Sequence, residues 1–325
     1  MSRRPTKAIV AKRANTARPS VALTAFIDLL GFSEQALSVR SVADLERLIK
    51  KVRVIRNYFD HEPSDPTTRE AQRISKTEVL AFSDCVVISI GLDSPAIKVQ
   101  GEFDIWAHDL HAMADAQAQA VAAGHLIRGG IDKGLWYHDR AGVLVSPALV
   151  KAYRLEHAAN YPVLAVGDAL YKFLRDHPGR RAYSKDLDPI PRMFRSFTDD
   201  AGTRIRYLNY IELLIYDVDW QFDQQTVRAY RAAPPGQRDA IAQKGLRRNV
   251  ERFFRAHKKA IEAAYRRIIH KRIKSKYVFL RDYHNEMVKK YLPKSKGLEV
   301  TLSSRRSRRM HAPATGQTRS IRHYR

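Results

Sequence analysis

Hydrophobic residues recur along the chain with two periods, and the two alternate in a defined order. Apolar runs with strand character occupy residues 21–30, 78–91 and 125–134. Between them, residues 42–55 carry apolar side chains at three- and four-residue spacing, which is typical of a helix, and the alanine-rich residues 102–123 predict a second helix. A turn at residues 82–84 divides the second run into two strands. The pattern predicts an α+β fold with the β-α-β-β-α-β order of a ferredoxin-like or palm-type sheet.

Local signals refine these elements. Ser41, with Asp44 three residues later, resembles a capping box at the start of the first long helix. A short strand is predicted over 142–146, and Pro147 begins the next predicted helix. Residues 162–167 are predicted to form a further strand, and residues 61–68 a loop.

The pattern changes after about residue 200. Residues 203–220 predict one or two strands, and the PPG at 234–236 precedes a long helix predicted over 238–274. We therefore divide the chain into four parts: a flexible basic arm over 1–19, a main domain over 20–200, a strand and helix extension over 201–294, and a basic tail, expected to be disordered, over 295–325.

Composition limits the classes of protein. The chain has 325 residues, of which 44% are hydrophobic, so a substantial core is available. No apolar run is long enough to cross a bilayer, and no secretory signal pattern follows the basic arm. Cys85 is the single cysteine, which excludes an intrachain disulfide and leads us to expect a cytoplasmic protein.

The formal net charge is +24, and much of it lies in the C-terminal part. Such a charge favours anionic partners, namely nucleotides, nucleic acid or an acidic membrane surface. The basic helix near 247–272 has two interpretations. It either packs through its Phe and Ile face with a solvated charged exterior, which we favour, or contacts nucleic acid.

Asp28 stands within an apolar run, directly before a Gly-Phe-Ser turn. A buried, unpaired carboxylate costs several kcal/mol, so an arginine, a metal ion or water at a strand end must compensate it. On the palm plan, Asp28 and Asp84 face each other across neighbouring strands. We predict that a second carboxylate, with metal between, is the partner of Asp28 rather than an arginine. The alternative is that both are solvated strand-end residues.

Two divalent ions, Mg²⁺ or Mn²⁺, suit such a carboxylate pair. One ion would activate an attacking oxygen, and the other would hold the leaving phosphates. The turn after Asp28 exposes backbone N–H groups at a helix start, where phosphate oxygens bind well.

Four motifs resemble the landmarks of class III nucleotidyl cyclases, in the order of that family. They are FIDLLGFS (26–33), FSDCVV (82–87), IRGGIDKG (127–134) and SPALVKAYRLE (146–156). The resemblance covers about residues 20–170 and implies that the main domain is a cyclase catalytic domain. It implies that Asp28, Asp84 and the carbonyl of Leu29 bind the two metal ions. It further implies that the loop of Gly31, Phe32 and Ser33 holds the triphosphate of a nucleoside triphosphate substrate.

The resemblance also implies a catalytic arginine, which matches Arg154. In the family this arginine neutralises charge on the α-phosphate as the ribose 3′-hydroxyl attacks. Family members act as head-to-tail homodimers, so Arg154 would serve the metal site of the partner chain. The alternative is a surface arginine paired with a nearby acid.

Three positions depart from the purine cyclases. Leu80 stands where adenylyl cyclases have lysine and guanylyl cyclases usually have glutamate, and Val143 takes the second purine-reading position. Val150 replaces the ribose-orienting asparagine. Because branched apolar residues cannot bond a purine edge, we predict a pyrimidine base pocket at Leu80 and Val143.

The compact motifs resemble the Pycsar branch of this family, the anti-phage cyclases that convert UTP or CTP into cyclic UMP or cyclic CMP. We slightly favour UTP. The resemblance implies a second messenger for antiviral defence and an effector protein that responds to it. Two alternatives remain: a nucleic-acid-binding protein on a palm-like scaffold without catalysis, and a purine nucleotide cyclase.

Overall fold

The computed structural model describes residues 18–59, 70, 73–199, 201–266, 268 and 271–302, without the side chains of Lys271 and Arg272. The predicted loop at 61–68, most of the basic arm and residues 303–325 lie outside the described residues.

A single sheet organises the described chain. Its strands are β1 (Ser20–Leu29), β2 (Thr77–Phe82), β3 (Cys85–Gly91), β4 (Ile127–His138), β5 (Leu144–Val145), β6 (Leu164–Val166), β7 (Phe194–Thr198) and β8 (Arg204–Leu208). They are arranged in the order β2-β3-β1-β4-β6-β8-β7, with β5 paired to β4. β1 is antiparallel to both β3 and β4, whereas β4 and β6 are parallel.

The α-helices connect and cover these strands. They are α1 (Phe32–Leu37), α2 (Val42–Phe59), α3 (Pro95–Gln100), α4 (Glu102–Ala122), α5 (Pro147–Ala159), α6 (Asp168–Asp176), α7 (Ile190–Met193), α8 (Tyr210–Asp217), α9 (Gln224–Ala232), α10 (Pro235–Tyr265) and α11 (Lys271–Tyr291). The order β1, α2, β2, β3, α4, β4 and the β2-β3-β1-β4 arrangement confirm the predicted α+β, palm-type plan.

The predicted helix starts are present. Asp44 N donates to Ser41 Oγ at 3.2 Å, and Ser41 Oγ donates to the Asp44 carboxylate at 2.7 Å. Ser146 caps α5 by accepting from Leu149 N at 3.0 Å, with Pro147 as the first helical residue.

The C-terminal part differs from expectation in two elements. Residues 203–220 form β8 and then the helix α8, because the apolar run beginning at Tyr210 packs as a helix against α4. The single helix predicted over 238–274 is wrong, since α10 ends at Tyr265 and α11 begins at Lys271. The two helices pack against each other, which a continuous rod could not do.

The sheet continues across the boundary that we predicted near residue 200. β7 and β8 lie on either side of it and pair antiparallel, and β8 also pairs with β6. Val250 and Phe254 of α10 belong to the same hydrophobic core as Leu23 of β1. The part after residue 200 therefore shares both the sheet and the core of the part before it.

The prediction of a disordered tail from residue 295 is wrong for residues 295–302. Leu298 and Val300 are buried, and Asn285 Oδ1 accepts from Val300 N at 2.7 Å. Burial of these two apolar side chains favours an ordered position for this segment, and the basic composition of the residues that follow it concealed this outcome.

Helix α5 lies unusually close to the sheet. A Cβ on Gly130 would meet the Ala152 carbonyl oxygen at 2.0 Å, and one on Gly129 would meet the Phe26 carbonyl oxygen at 2.5 Å. Gly130 is therefore required for the approach of α5, and Gly129 for the close pairing of β4 with β1. No helix among the described residues is both long and apolar enough to cross a membrane.

Candidate active site

The end of β1 and the β2–β3 turn bring two carboxylates together. Asp28 lies opposite Cys85 in the β1–β3 ladder, and Asp84 directly precedes Cys85. Ser83 completes the tight turn with φ of 54°, in the left-handed region. Oxygen atoms of Asp28 and Asp84 and the sulfur of Cys85 all lie within 4.8 Å of one another. The predicted pairing of the two carboxylates is thus present.

The protonation of Asp28 shows how unfavourable two anions are here. Burial and a hydrogen bond with Asp84 raise the pKa of Asp28 to about 6, against the opposite influence of Arg128. A cation bound between the two carboxyl groups would offset the repulsion between them. The donor set, carboxylate oxygens at the ends of neighbouring strands, suits a hard divalent ion. Asp28 and Asp84 could therefore hold a metal ion.

The expectation that the partner of Asp28 is not an arginine is wrong. Arg128, on the adjacent strand β4, donates to Asp28 Oδ2 from Nε at 3.0 Å and from Nη2 at 2.9 Å. Arg128 faces Asp28 in the β1–β4 ladder. The carboxylate therefore has both partners considered for it, an arginine and a second carboxylate.

Glu156 of α5 is the second acid on Arg128. Its carboxylate is 1% exposed and contacts Arg128 Nε and His157 Nδ1. The buried face of α5 consists of Ala148, Ala152, Glu156 and Ala159, so the glutamate points at the sheet. Arg128 thus bridges Asp28 and Glu156, and it supplies the positive charge that both buried carboxylates need.

Cys85 lies on the same side of the sheet as Asp28, because the two residues pair in the β1–β3 ladder. Its Sγ lies 3.9 Å from Asp84 Oδ1. Burial, together with the charges of Asp84, Asp28 and Glu156, raises the pKa of the Cys85 thiol to about 12. The sulfur therefore stays protonated, and the two carboxylates are the better metal ligands of the cluster.

The predicted triphosphate loop follows β1 directly. Gly31 has φ of 79° and precedes α1, the short helix that begins with Phe32 and Ser33. This conformation favours glycine, so the residue type fits the turn. Leu29 has a buried side chain, and its carbonyl follows Asp28 by one residue.

Arg154 is not brought to the carboxylates of its own chain. It is exposed on α5, two residues before Glu156, which places it on the opposite side of the helix. The predicted alternative, pairing with a nearby acid, finds no support among the described residues, where Arg154 has no ion pair.

The two predicted base-pocket positions lie near one cluster. Leu80 packs against the group of Phe26, Val87 and Trp136, as does Leu144, the residue after Val143. Val143 itself is 50% exposed. Two polar residues in this area, Glu78 and His138, were not anticipated. Glu78 stands two residues before Leu80 on β2, and its carboxylate lies 3.0 Å from His138 Nδ1.

The missed residues had a partial signal. Arg128 stands in the motif IRGG between a buried isoleucine and two glycines, and Glu156 interrupts an otherwise alanine-lined stripe of α5. A charge on a buried face requires a partner. The sequence could thus have predicted that each residue has a charged partner. It could not have predicted that they partner each other, because 28 positions separate them.

No protein-family model and no curated protein sequence matches the chain. Among solved structures, it is similar to the adenylyl cyclase CyaB from P. aeruginosa, at 16% identity over 59% of this chain and 95% of that one, with a TM-score of 0.38. It is similar to the guanylyl cyclase domain of the RhoGC fusion protein from the aquatic fungus Blastocladiella emersonii, at 13% identity over 59% of this chain and 96% of that one, with a TM-score of 0.39. It is also similar to a bacterial light-regulated adenylyl cyclase, at 14% identity over 70% and 99%, with a TM-score of 0.37. Because these similarities are low, the palm-type fold described above rests on the strand order itself.

Proposed function

We propose that the protein is a homodimeric, metal-dependent nucleotide cyclase that converts a pyrimidine nucleoside triphosphate, UTP in preference to CTP, into its 3′,5′-cyclic monophosphate and pyrophosphate. One bond forms between the 3′-oxygen and the α-phosphorus, and the bond from that phosphorus to the β-phosphate bridging oxygen breaks. The paired carboxylates of Asp28 and Asp84 carry the proposal, because nothing else in the described chain offers such a cation site.

Asp28 and Asp84, with the carbonyl of Leu29, would hold two divalent ions, Mn²⁺ or Mg²⁺. When bound, such ions lower the pKa of the attacking hydroxyl and stabilise charge on the phosphates. The raised pKa of Asp28 supports this assignment, since the site favours an added positive charge. The loop of Gly31, Phe32 and Ser33 would position the triphosphate beside it.

Arg128 has a role in this proposal both without and with a bound metal ion. In the absence of a metal ion its guanidinium neutralises Asp28 and Glu156. With a divalent ion held by Asp28, Arg128 would keep its contact with Glu156 and could donate its remaining N–H groups to the phosphates. Glu156 is therefore a positioning residue in this proposal.

A second copy of the chain would complete the site. Exposed apolar side chains lie on α5 and on the adjoining β4–β5 hairpin: Leu135, Val143, Val145, Val150 and Tyr153, each between 47% and 60% exposed. Such a patch favours association. Arg154 lies one turn from Val150 on the same face, so a chain covering this face would meet it. Arg154 would then neutralise the α-phosphate at the partner's metal site.

The base pocket is proposed to lie at Leu80 and Val143. Apolar side chains at both positions leave a purine edge without partners, which favours a smaller base. The resemblance of the motifs to the Pycsar cyclases supports the product as a second messenger for anti-phage defence, acting through an effector that responds to it.

The test is to incubate the purified protein with ATP, GTP, CTP or UTP, each with Mn²⁺, and to identify products by mass. A cyclic pyrimidine monophosphate that disappears in Asp84→Ala supports the proposal. A cyclic purine product would support the cyclase reaction but contradict the proposed pyrimidine pocket at Leu80 and Val143. If no nucleotide gives a product and Mn²⁺ does not stabilise the protein, the proposal is wrong and nucleic-acid binding without catalysis takes its place.

A further inference from the structure

A groove of about 600 Å³ lies away from the carboxylate pair, between α4, α8 and α10. Its floor is apolar, formed by residues such as Leu214, Val218 and Phe253. A volume of this size with few polar groups is typical of small-molecule sites. Three features of its walls indicate which class of small molecule it fits.

The first feature is an unsatisfied acceptor. Asn249 of α10 is 7% exposed, and its Nδ2 donates to the Asp219 carbonyl at 2.8 Å. Because a carbonyl only accepts, this bond fixes which end of the amide is which. The buried Oδ1 accepts no hydrogen bond from the part of the chain that the structure describes. A ligand with an N–H or O–H donor would satisfy it.

The second feature is an exposed aromatic ring at the mouth. Phe222 lines the groove and is 69% exposed, although a phenylalanine of that exposure gains little by packing within the chain. Phe253 lines the groove further along. Flat heterocycles stack on such rings, and this stacking tolerates any base.

The third feature is the distribution of charge. Arg252 lies on the α10 wall and makes no ion pair within the described residues. Asp115 of α4 and Asp217 of α8 also line the groove; Asp115 accepts from Gln119 Nε2 at 2.6 Å, and Asp217 lies 2.7 Å from His111 Nε2. One cation can bind one phosphate group. The two carboxylates repel a chain of phosphates, so the groove suits a ligand of low negative charge.

We propose that this groove binds a nucleoside monophosphate, with the base between Phe222 and Asn249 Oδ1 and the single phosphate on Arg252. The 3′,5′-cyclic form carries one negative charge and the 5′-monophosphate up to two, so the cyclic form binds more tightly. The proposal stands without any activity at Asp28 and Asp84. If the proposed cyclase activity holds, the groove becomes a site for product.

The test is calorimetric titration of the full chain in EDTA with the cyclic and 5′-monophosphates of the four common bases and with the four triphosphates. We expect at least one monophosphate to bind with a Kd below about 1 mM, and its triphosphate to bind at least about tenfold more weakly. A cyclic form that binds more tightly than the 5′-form assigns the ligand to product-like chemistry. The reverse order would overturn the proposed preference for the cyclic form.

Variants locate the binding. Arg252→Gln should weaken it about tenfold or more, and Phe222→Ala about fivefold or more. Arg255→Gln is the matched control, because Arg255 is exposed on the same helix, one turn further and outside the groove, and should leave the Kd unchanged. Absence of binding for every monophosphate at 1 mM, equal binding of triphosphates, or an unchanged Kd in Arg252→Gln would each overturn the proposal.

Discussion

Arg128 donates two hydrogen bonds to one oxygen of Asp28, across the β1–β4 ladder at the end of the sheet. This pair keeps a carboxylate in place that burial alone would expel or neutralise. The carboxylate pair that could hold a metal ion is thus stabilised by the guanidinium of Arg128.

Removing that cation should destabilise the fold. In Arg128→Gln, Glu156 remains as a buried carboxylate with 1% exposure and loses its guanidinium partner. We expect a loss of about 3–5 kcal/mol in the free energy of unfolding at pH 7, measured with urea. The double variant Arg128→Gln with Glu156→Gln should recover most of this loss. Without recovery, the cost does not come from the stranded charge of Glu156.

The titration of Asp28 gives a pH-dependent prediction for the metal-free protein. Its pKa is about 6 in the fold and about 3.9 in an unfolded chain. A raised carboxyl pKa contributes stability at low pH, and this contribution is lost as the pH rises through 6. Replacing Asp28 by Asn should therefore stabilise the metal-free protein at pH 8, by about 2–3 kcal/mol, and change little at pH 4.

Two comparisons sharpen this measurement. Ser41, Arg40 and Arg47 lower the pKa of Asp44, so the contribution of Asp44 to stability is lost as the pH falls. The effect of Asp44→Asn on the free energy of unfolding should therefore depend on pH in the direction opposite to that of Asp28→Asn. Saturating Mn²⁺ should stabilise the unmodified protein but not the Asp28→Asn variant. If Mn²⁺ stabilises Asp28→Asn as much as the unmodified protein, the metal ion binds at a site that does not include Asp28.

The proposed exchange of Arg154 between chains can be tested by complementation. Asp28→Ala and Arg154→Ala should each abolish cyclase activity, because every site of either homodimer lacks one group. Mixed dimers should regain up to about half of the activity per dimer, since one of two sites then has both Asp28 and Arg154 intact. Verified heterodimers that stay inactive would contradict the shared site, and dimers that fail to form would contradict the apolar interface.

Base preference provides a further prediction. Leu80→Glu adds an acceptor in the proposed base pocket, beside Glu78 of the same strand. We expect the ratio of activity with GTP to activity with UTP to increase about tenfold or more, as measured by kcat/KM. Leu80→Met, which preserves an apolar side chain, should leave the ratio unchanged. An unchanged ratio in Leu80→Glu would place the base away from β2.

A buried histidine pair links α10, α11 and the end of the described chain. His257 Nε2 lies 2.9 Å from the Tyr210 hydroxyl, His257 Nδ1 lies 2.9 Å from His284 Nδ1, and His284 Nε2 lies 2.9 Å from the Leu298 carbonyl. The carbonyl accepts only, so His284 Nε2 carries the proton and its Nδ1 accepts from His257. Both rings are then neutral, and a second proton would disrupt their contact.

Acid should therefore destabilise the protein through these rings. Burial lowers the pKa of His284 to about 4, with Lys258 adding to this and Leu298 and Glu262 opposing it. Burial and the neighbouring His284 also lower the pKa of His257 well below its ordinary value. Lowered histidine pKa values contribute stability above about pH 6.5 that is lost as the pH falls toward 4. His284→Asn should flatten the unfolding free energy across that interval, whereas the exposed control His108→Asn should not. A profile that stays steep in His284→Asn would assign the acid sensitivity to other groups.

How far the sequence predicts this molecule depends on how local the determinant is. The alternating and helical periods predicted the palm-type plan, and Asp28 within the apolar run before Gly31 predicted a carboxylate site. Both signals lie in neighbouring residues. The break after Tyr265 was not predicted, since the basic and apolar pattern continues through residues 266–274. The pairing of Asp28 with Arg128 joins residues 100 positions apart, and no local pattern contains it.

The continuity of the sheet has a consequence for how the protein is made. The free edge of β6 is covered only when β8 has been synthesised, and the core closes only when Leu298 reaches its place against His284. Chains emerge from the ribosome at about 5–20 residues per second, so roughly 13 to 54 seconds separate the synthesis of β1 from that of Leu298. During that interval an unpaired strand edge and an open core are accessible to other chains. The yield of folded protein should then depend on the rate of synthesis and on the supply of chaperones rather than on the stability of the finished fold.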